Sequence, residues 1–252
     1  MDFKNKVVLI TGASSGIGKV TALNFAKEGA KIVVADVNEK GGLSTVSEIM
    51  AEGGEAIFVK CDVSNADDVT NMVDTAVLTY ERIDIAMNNA GIGGDIARTV
   101  DVDHKSFDRV MAINSTGVFY CMQAEIRQML TQGGGAIINT ASIAGLRGLP
   151  SNLPYVASKH AVVGMTKTAA MEYARNNIRI NALCPVFTVT PLFNPDVMDQ
   201  FKEGLSEKLK AGIPMKRFST TQEMADATMW LASEKASFVT GHALPVDGGL
   251  TA

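Results

Sequence analysis

A doubly wound α/β fold, a parallel sheet with helices on both faces, is predicted by three observations. Short apolar runs rich in β-branched residues recur seven times along the chain. Stretches with helical periodicity lie between them, and no linker, low-complexity tract or charge block interrupts the series. Strands that alternate with helices build βαβ units, and their sheet is parallel and covered on both sides.

The elements follow in order. Strands are predicted at KVVLI (6–10), KIVVAD (31–36), EAIFVK (55–60), RIDIAM (82–87), GAIINT (135–140), NIRINAL (177–183) and HALPV (242–246). Helices are predicted at 16–28, 39–52, 66–80, 103–131, 154–175 and 221–232. Pro245 cannot donate to a ladder, so its strand belongs at an edge. The unbroken alternation predicts one domain over 1–252, with an insertion at about 190–214. A long excursion of that kind inside a compact domain is usually a lid or binding loop.

Composition narrows the function classes. Of the 252 residues, 46% are hydrophobic and 20% charged, ordinary for a globular protein with a sizeable core. A net charge of −4 argues against nucleic acid or an anionic membrane as partner. The opening MDFKNKVVLITG has too short an apolar run for a signal peptide, and no run reaches the roughly 18 residues of a spanning helix. Cys61, Cys121 and Cys184, like His104, His160 and His242, are too scattered for a disulfide framework or a metal site. A reduced, cytoplasmic setting is the expectation.

TGASSGIG (11–18) follows the first strand and opens the first helix. A Gly-rich turn there brings backbone N–H groups and the positive helix end to a diphosphate. Gly12, Ser14, Ser15, Gly16 and Ile17 are the candidate contacts, and Gly18 lets helix and sheet pack. Asp36 ends the second strand 18 residues further on, where its carboxylate can accept from an adenosine ribose hydroxyl. It would repel a 2′-phosphate, and Ser15, Val37 and Asn38 supply no countering cation. NAD(H) is therefore expected over NADP(H).

A second stretch, ASIAGLRGLPSNLPYVASKHAVVGMTK (141–167), sets Tyr155 and Lys159 on one face at the start of a helix. One reading is packing, with the lysine snorkelling. The other is an acid/base tyrosine, its phenolate favoured by the ammonium.

Taken together, these motifs resemble the short-chain dehydrogenase/reductases, over essentially the whole chain. Thr11-Gly12-x-x-x-Gly16-x-Gly18 is similar to that family's cofactor loop, and Asn88-Asn89-Ala90-Gly91 to its second motif. Asn114 in MAINSTGVF, Ser142 in NTASIAG, and Tyr155 with Lys159 match its catalytic tetrad in order. RINALCP (179–185) and VDGG (246–249) match its C-terminal part. The resemblance implies a Rossmann-like seven-stranded sheet in the order 3-2-1-4-5-6-7. It places Asp62 and Val63 at the adenine, Asn89, Ala90 and Gly91 at the centre of the cofactor, and Tyr155 and Lys159 beside the nicotinamide end. Pro185, Val186, Thr188 and Thr190 would border the nicotinamide. The family usually has glycine where this chain has Val186, so valine there is either strained or narrows the pocket.

By the same likeness, Tyr155 exchanges a proton with a secondary alcohol or ketone, Ser142 steadies its oxygen and Asn114 anchors a water in the proton path. The insertion, with Phe187, Leu149 and Leu153, would offer an apolar substrate surface: Leu192, Phe193, Met198, Phe201 and Leu205. That surface, together with Ser142, suits an uncharged, hydrophobic small molecule, while Arg147 could pair with an anionic one. A 3-oxoacyl-carrier-protein reductase and a non-catalytic dinucleotide sensor are the alternatives. A homotetramer through the helices 103–131 and 154–175 and the edge strand is also implied.

Overall fold

Seven parallel strands form one sheet in the order β3-β2-β1-β4-β5-β6-β7, as the resemblance implied. They are β1 (Val7–Thr11), β2 (Lys31–Asp36), β3 (Glu55–Lys60), β4 (Ile85–Asn88), β5 (Gly135–Thr140), β6 (Ile178–Pro185) and β7 (Ala243–Val246). The computed structural model describes residues 3–201 and 203–252, without the side chain of Phe201. Among the described residues, no helix is long and apolar enough to cross a membrane.

The central strands read as continuous apolar runs because both of their faces are covered. Val7 and Leu9 point into one core with Val33 and Ile137, while Val8 and Ile10 point into the other with Ile32 and Ile138. Helices α1 (Gly16–Lys27), α2 (Glu39–Ala51) and α9 (Thr221–Ala232) cover the second face. The first face lies under α3 (Ala66–Tyr80), α5 (Gly117–Gln132) and α6 (Leu153–Tyr173). Pro245 sits opposite Cys184 on the edge strand β7, with no further strand beyond it to require its missing N–H.

Local chemistry sets the helix ends. Asn65 accepts from the N–H groups of Asp67 and Asp68 at the start of α3. Thr220 and Glu223 form a reciprocal capping box at the start of α9. At the far end of α9, Arg179 of β6 donates to the carbonyls of Leu231 and Ala232 at 2.7 and 2.9 Å. Those carbonyls have no partner within the helix, so the guanidinium fixes α9 to the sheet.

Two expectations change. The single helix at 103–131 is instead α4 (His104–Met111), a widened π turn at Ala112–Thr116, and α5. The widened turn carries Asn114, whose side chain binds both main-chain groups of Ile92 at 2.8 Å and so ties this helix to the loop after β4. Periodicity alone cannot register one extra residue in a turn. The strands at 82–87 and 177–183 are displaced toward their C-terminal ends, to Ile85–Asn88 and Ile178–Pro185, the first because Arg82 and Asp84 form a polar lead-in. The Asp84 carboxylate accepts from Val7 N at 3.0 Å and pairs with Arg82 at 2.9 Å. Within the insertion lie α7 (Pro195–Phe201) and α8 (Leu205–Gly212), joined by a hydrogen bond from Ser206 N to Asp199 at 2.8 Å.

Candidate active site

The C-terminal strand ends meet a cleft of about 610 Å³ beside the β1 and β4 ends, where the strand order reverses. Open α/β sheets bind ligands at such points. The cleft is lined by Gly12, Ser14, Ser15, Gly16, Ile17, Asp36, Asp62, Val63, Asn89, Ala90, Gly91 and Thr190, all anticipated from sequence.

Glycine is required where the turn runs tight. Gly12 and Gly16 have φ of +67° and +56°. A Cβ on Gly18 would stand 2.4 Å from the carbonyl oxygen of Gly12, so Gly18 serves packing and does not line the cleft. Ser15 caps α1 in an extended conformation without a side-chain bond, and no acidic residue occupies the first turn. The N–H groups there are left for an anion, which the helix dipole favours.

Across the cleft, Asp36 is held by two main-chain donors, Ser14 N on Oδ2 and Asn38 N on Oδ1, both at 2.9 Å. Each oxygen retains a lone pair for a hydroxyl. Asn89 acts as a brace: its N–H donates to Thr11 Oγ1 at 3.0 Å and its amide to the carbonyls of Thr11 and Gly12 at 3.2 Å. A Gly-rich cradle, a free helix start and a fixed carboxylate fit an adenine dinucleotide.

Next to this cleft, the turn after β5 carries Ser142 and the first turns of α6 carry Tyr155 and Lys159. Ser142 Oγ accepts from Ala144 N at 3.1 Å, and its O–H is turned toward the Tyr155 hydroxyl. Lys159, only 3% exposed, donates to the carbonyl of Thr140 at 2.7 Å, and its Nζ lies 5.6 Å from the centre of the Tyr155 ring. A Cβ on Gly91 would lie 3.7 Å from that Nζ, so the ammonium borders the cleft from the side of Tyr155. Gly145 permits this approach: a Cβ there would stand 2.6 Å from the carbonyl of Lys159.

Burial sets the direction of both shifts in the tyrosine–lysine pair. Burial pushes the Tyr155 phenol above its ordinary value, opposed by a hydrogen bond from Ser142. Burial also lowers Lys159 to about 8. The ammonium itself lies over the ring and donates to Thr140 O. The Asn114 amide is engaged by both main-chain groups of Ile92 at 2.8 Å and by Ser158 Oγ at 3.3 Å. Ser158, which the sequence reading did not single out, donates in turn to the Tyr155 carbonyl at 2.8 Å.

The remaining candidates divide. Pro185 ends β6, and Val186 is buried against Ile143 and Ile213 with a negative φ, so it is packed and not strained. Thr188 is buried, with its hydroxyl bonded to Ser219 Oγ at 2.7 Å. Thr190 meets Gly16 across the cleft, 3.4 Å from the position of a Cβ there. Phe187 and Phe193 lie tilted by 34° with 5.1 Å between ring centres, and Phe218, which the sequence did not mark, closes the cluster at 5.1 Å from Phe193. Leu192 lines the cleft and contacts Gly93 on its far side. Leu149, Met198 and Leu205 are half-buried, whereas Leu153 and Arg147 are exposed. The Phe201 side chain lies outside the described residues. Ile92, Arg109 and Ile113 also line the cleft. Their signal was available, since Arg109 and Ile113 share a helix face just before Asn114.

The family model described as enoyl-(acyl carrier protein) reductase matches residues 12–251. A cyclohexanol dehydrogenase from Acinetobacter sp. (strain SE19) is 44% identical over 99% of this chain and 96% of its own. Among solved structures, levodione reductase superposes with a TM-score of 0.94 at 37% identity, covering 98% of both chains. NAD⁺-bound xylitol dehydrogenase gives 0.95 at 35%, covering 99% of this chain and 100% of the other. Likeness in sequence and in backbone thus extends from the glycine turn to the edge strand, and this protein belongs to the short-chain dehydrogenase/reductase family.

Proposed function

We propose that this protein interconverts an uncharged, hydrophobic secondary alcohol and its ketone with NAD(H), using Tyr155 as the acid/base. The observation that carries the reading is the convergence of Ser142, Tyr155 and Lys159, with the lysine beside Gly91 at the edge of the cleft. Gly12, Gly16 and the start of α1 would hold the diphosphate, Asp36 the adenosine ribose, and Lys159 the second ribose. When bound, a nicotinamide supplies the hydride acceptor or donor, and its oxidised ring is positive.

The chain's own residues handle the proton. In oxidation, the Tyr155 phenolate takes the alcohol proton while the Ser142 O–H donates to the same oxygen, steadying its developing charge. The proton then passes toward Lys159 and a water near Asn114. Reduction reverses each transfer. Phe187, Phe193 and Leu192 give the substrate side an apolar wall, which favours alkyl or ring substituents over charged ones. Exposed apolar residues on α5, α6 and beside β7 (Phe119, Met171 and Phe238) suit the homotetramer that the resemblance implied. The three buried free thiols suit a reducing compartment.

The test is a screen of cyclic and aryl-alkyl alcohols and ketones with each nicotinamide cofactor. Turnover with NAD(H) supports the reading. Binding without turnover would favour a dinucleotide sensor, and turnover confined to NADPH with a carrier-linked 3-oxoacyl group would favour the acyl reductase. Asp36→Ser is expected to raise KM for NAD⁺ about tenfold and to improve use of NADP⁺, since it removes a carboxylate that two N–H groups aim into the cleft. Unchanged cofactor kinetics would remove Asp36 from the ribose site.

A further inference from the structure

Glu125 takes no part in the chemistry above, yet it is a carboxyl with 0% exposure in the middle of α5. Its Oε2 accepts from Asn88 Nδ2 at 2.9 Å. The second hydrogen of that amide goes to Asn139 Oδ1 at 3.0 Å. Asn139 in turn donates to Thr166 Oγ1 at 2.9 Å, and Thr166 to the carbonyl of Val162 at 2.8 Å. The network joins α5, β4, β5 and α6, and every side chain in it is at most 2% exposed.

Two oxygens of this network have no partner: Glu125 Oε1 and Asn88 Oδ1. They belong to side chains already bonded to each other, and both can only accept while the carboxyl is ionised. One proton removes both deficits. Placed on Oε1, it turns the carboxyl into a donor to Asn88 Oδ1 and closes a reciprocal acid–amide pair. An ionised carboxylate would instead sit in the core with one N–H bond and no cation, which is costly. The side chains of the network carry no charge: Asn88 on β4, which bonds it directly, then Asn139 on β5, Thr166 on α6 and Met122 on its own helix. Its titratable neighbour is Cys121, a buried thiol pushed well up, with Cys61 beyond it.

We propose that Glu125 is held protonated and closes a two-way pair with Asn88, acting as a positioning residue for the ends of β4 and β5. Those ends carry the parts the site depends on. Asn89, next to Asn88, braces the glycine turn, and Thr140, next to Asn139, accepts from Lys159. The kinetic side rests on the oxidoreductase reading above; the protonation state does not.

Infrared spectra of protein labelled with ¹³C-glutamate test it. At pH 6, above the ordinary glutamate value of about 4.3, a carboxylic-acid C=O band is expected in the wild type and missing in Glu125→Gln. The band should fade as pH rises through about 7, the value to which burial lifts this carboxyl. A wild type without the band overturns the proposal. In kinetics, Glu125→Gln, which keeps a donor and an acceptor, should stay within about twofold of wild type in kcat and cofactor KM. Glu125→Leu should lower kcat at least tenfold; where it fails to fold, the band and the Gln variant decide. A Gln variant as impaired as the Leu variant, or a Leu variant with wild-type kinetics, would sink the positioning role. The band needs no substrate, so it stands or falls independently of the proposed reaction.

Discussion

Tyr155→Phe is expected to lower kcat by about a thousandfold, within the range that positioned acid/base groups contribute, while dinucleotide affinity stays within a few-fold. The substitution deletes one oxygen and keeps the ring over which Lys159 lies. Ser158 binds the main-chain carbonyl of residue 155, so the helix start is untouched. Tyr155 does not line the cleft itself, so the cradle for the dinucleotide is preserved. Steady-state rates alongside a direct titration of NADH separate the two quantities. Turnover near wild type would strip Tyr155 of its proposed role, and a parallel loss of binding would show that the phenol serves structure.

Lys159→Met should act in opposite directions on stability and on rate. Burial lowers the lysine from 10.5 to about 8, a gap that corresponds to roughly 3 kcal/mol of native-state penalty while the group is charged. Its charge-assisted hydrogen bond to Thr140 O returns about 2 kcal/mol. Methionine fills similar space without the charge, so at pH 7 the variant is expected to be more stable. For a chain of this size the midpoint of thermal unfolding rises by about 2–4 °C per kcal/mol. The pH dependence has a definite sign. Below about 8 both folded and unfolded wild type carry the charge, and the penalty is full. Between about 8 and 10.5 the unfolded chain binds more protons, so wild-type stability rises with pH and the gap to the variant closes. Meanwhile kcat should fall at least about a hundredfold and cofactor KM should rise, because the cation beside the phenol and the cleft is gone. Denaturant unfolding across pH 6–10 checks the first half and kinetics the second. A variant less stable than wild type at pH 7 would mean the lysine is a net structural asset.

Both variants concern residues that could be named before any coordinates, and the reason is physical. Tyr155 and Lys159 are four apart on one helix, and the glycines of residues 12–18 lie within one turn, so their geometry is set locally. The sheet order came from resemblance to known proteins, and the Pro245 edge from the chemistry of a missing N–H. Other features depend on residues distant in sequence. The π turn at Asn114 exists because Ile92, 22 residues away, takes both ends of its amide. Phe218 joins Phe187 and Phe193 only once β6 and the insertion are folded together.

By itself, then, the sequence determined the alternation of strands and helices, the cradle and the tyrosine–lysine pair, since each is written in periods and spacings shorter than one element. Tertiary structure alone decided the balance of charge. Burial raises the phenol, lowers the lysine and lifts Glu125 to about 7. Desolvation depends on what the whole fold stacks around a group, and no local pattern of residues encodes it.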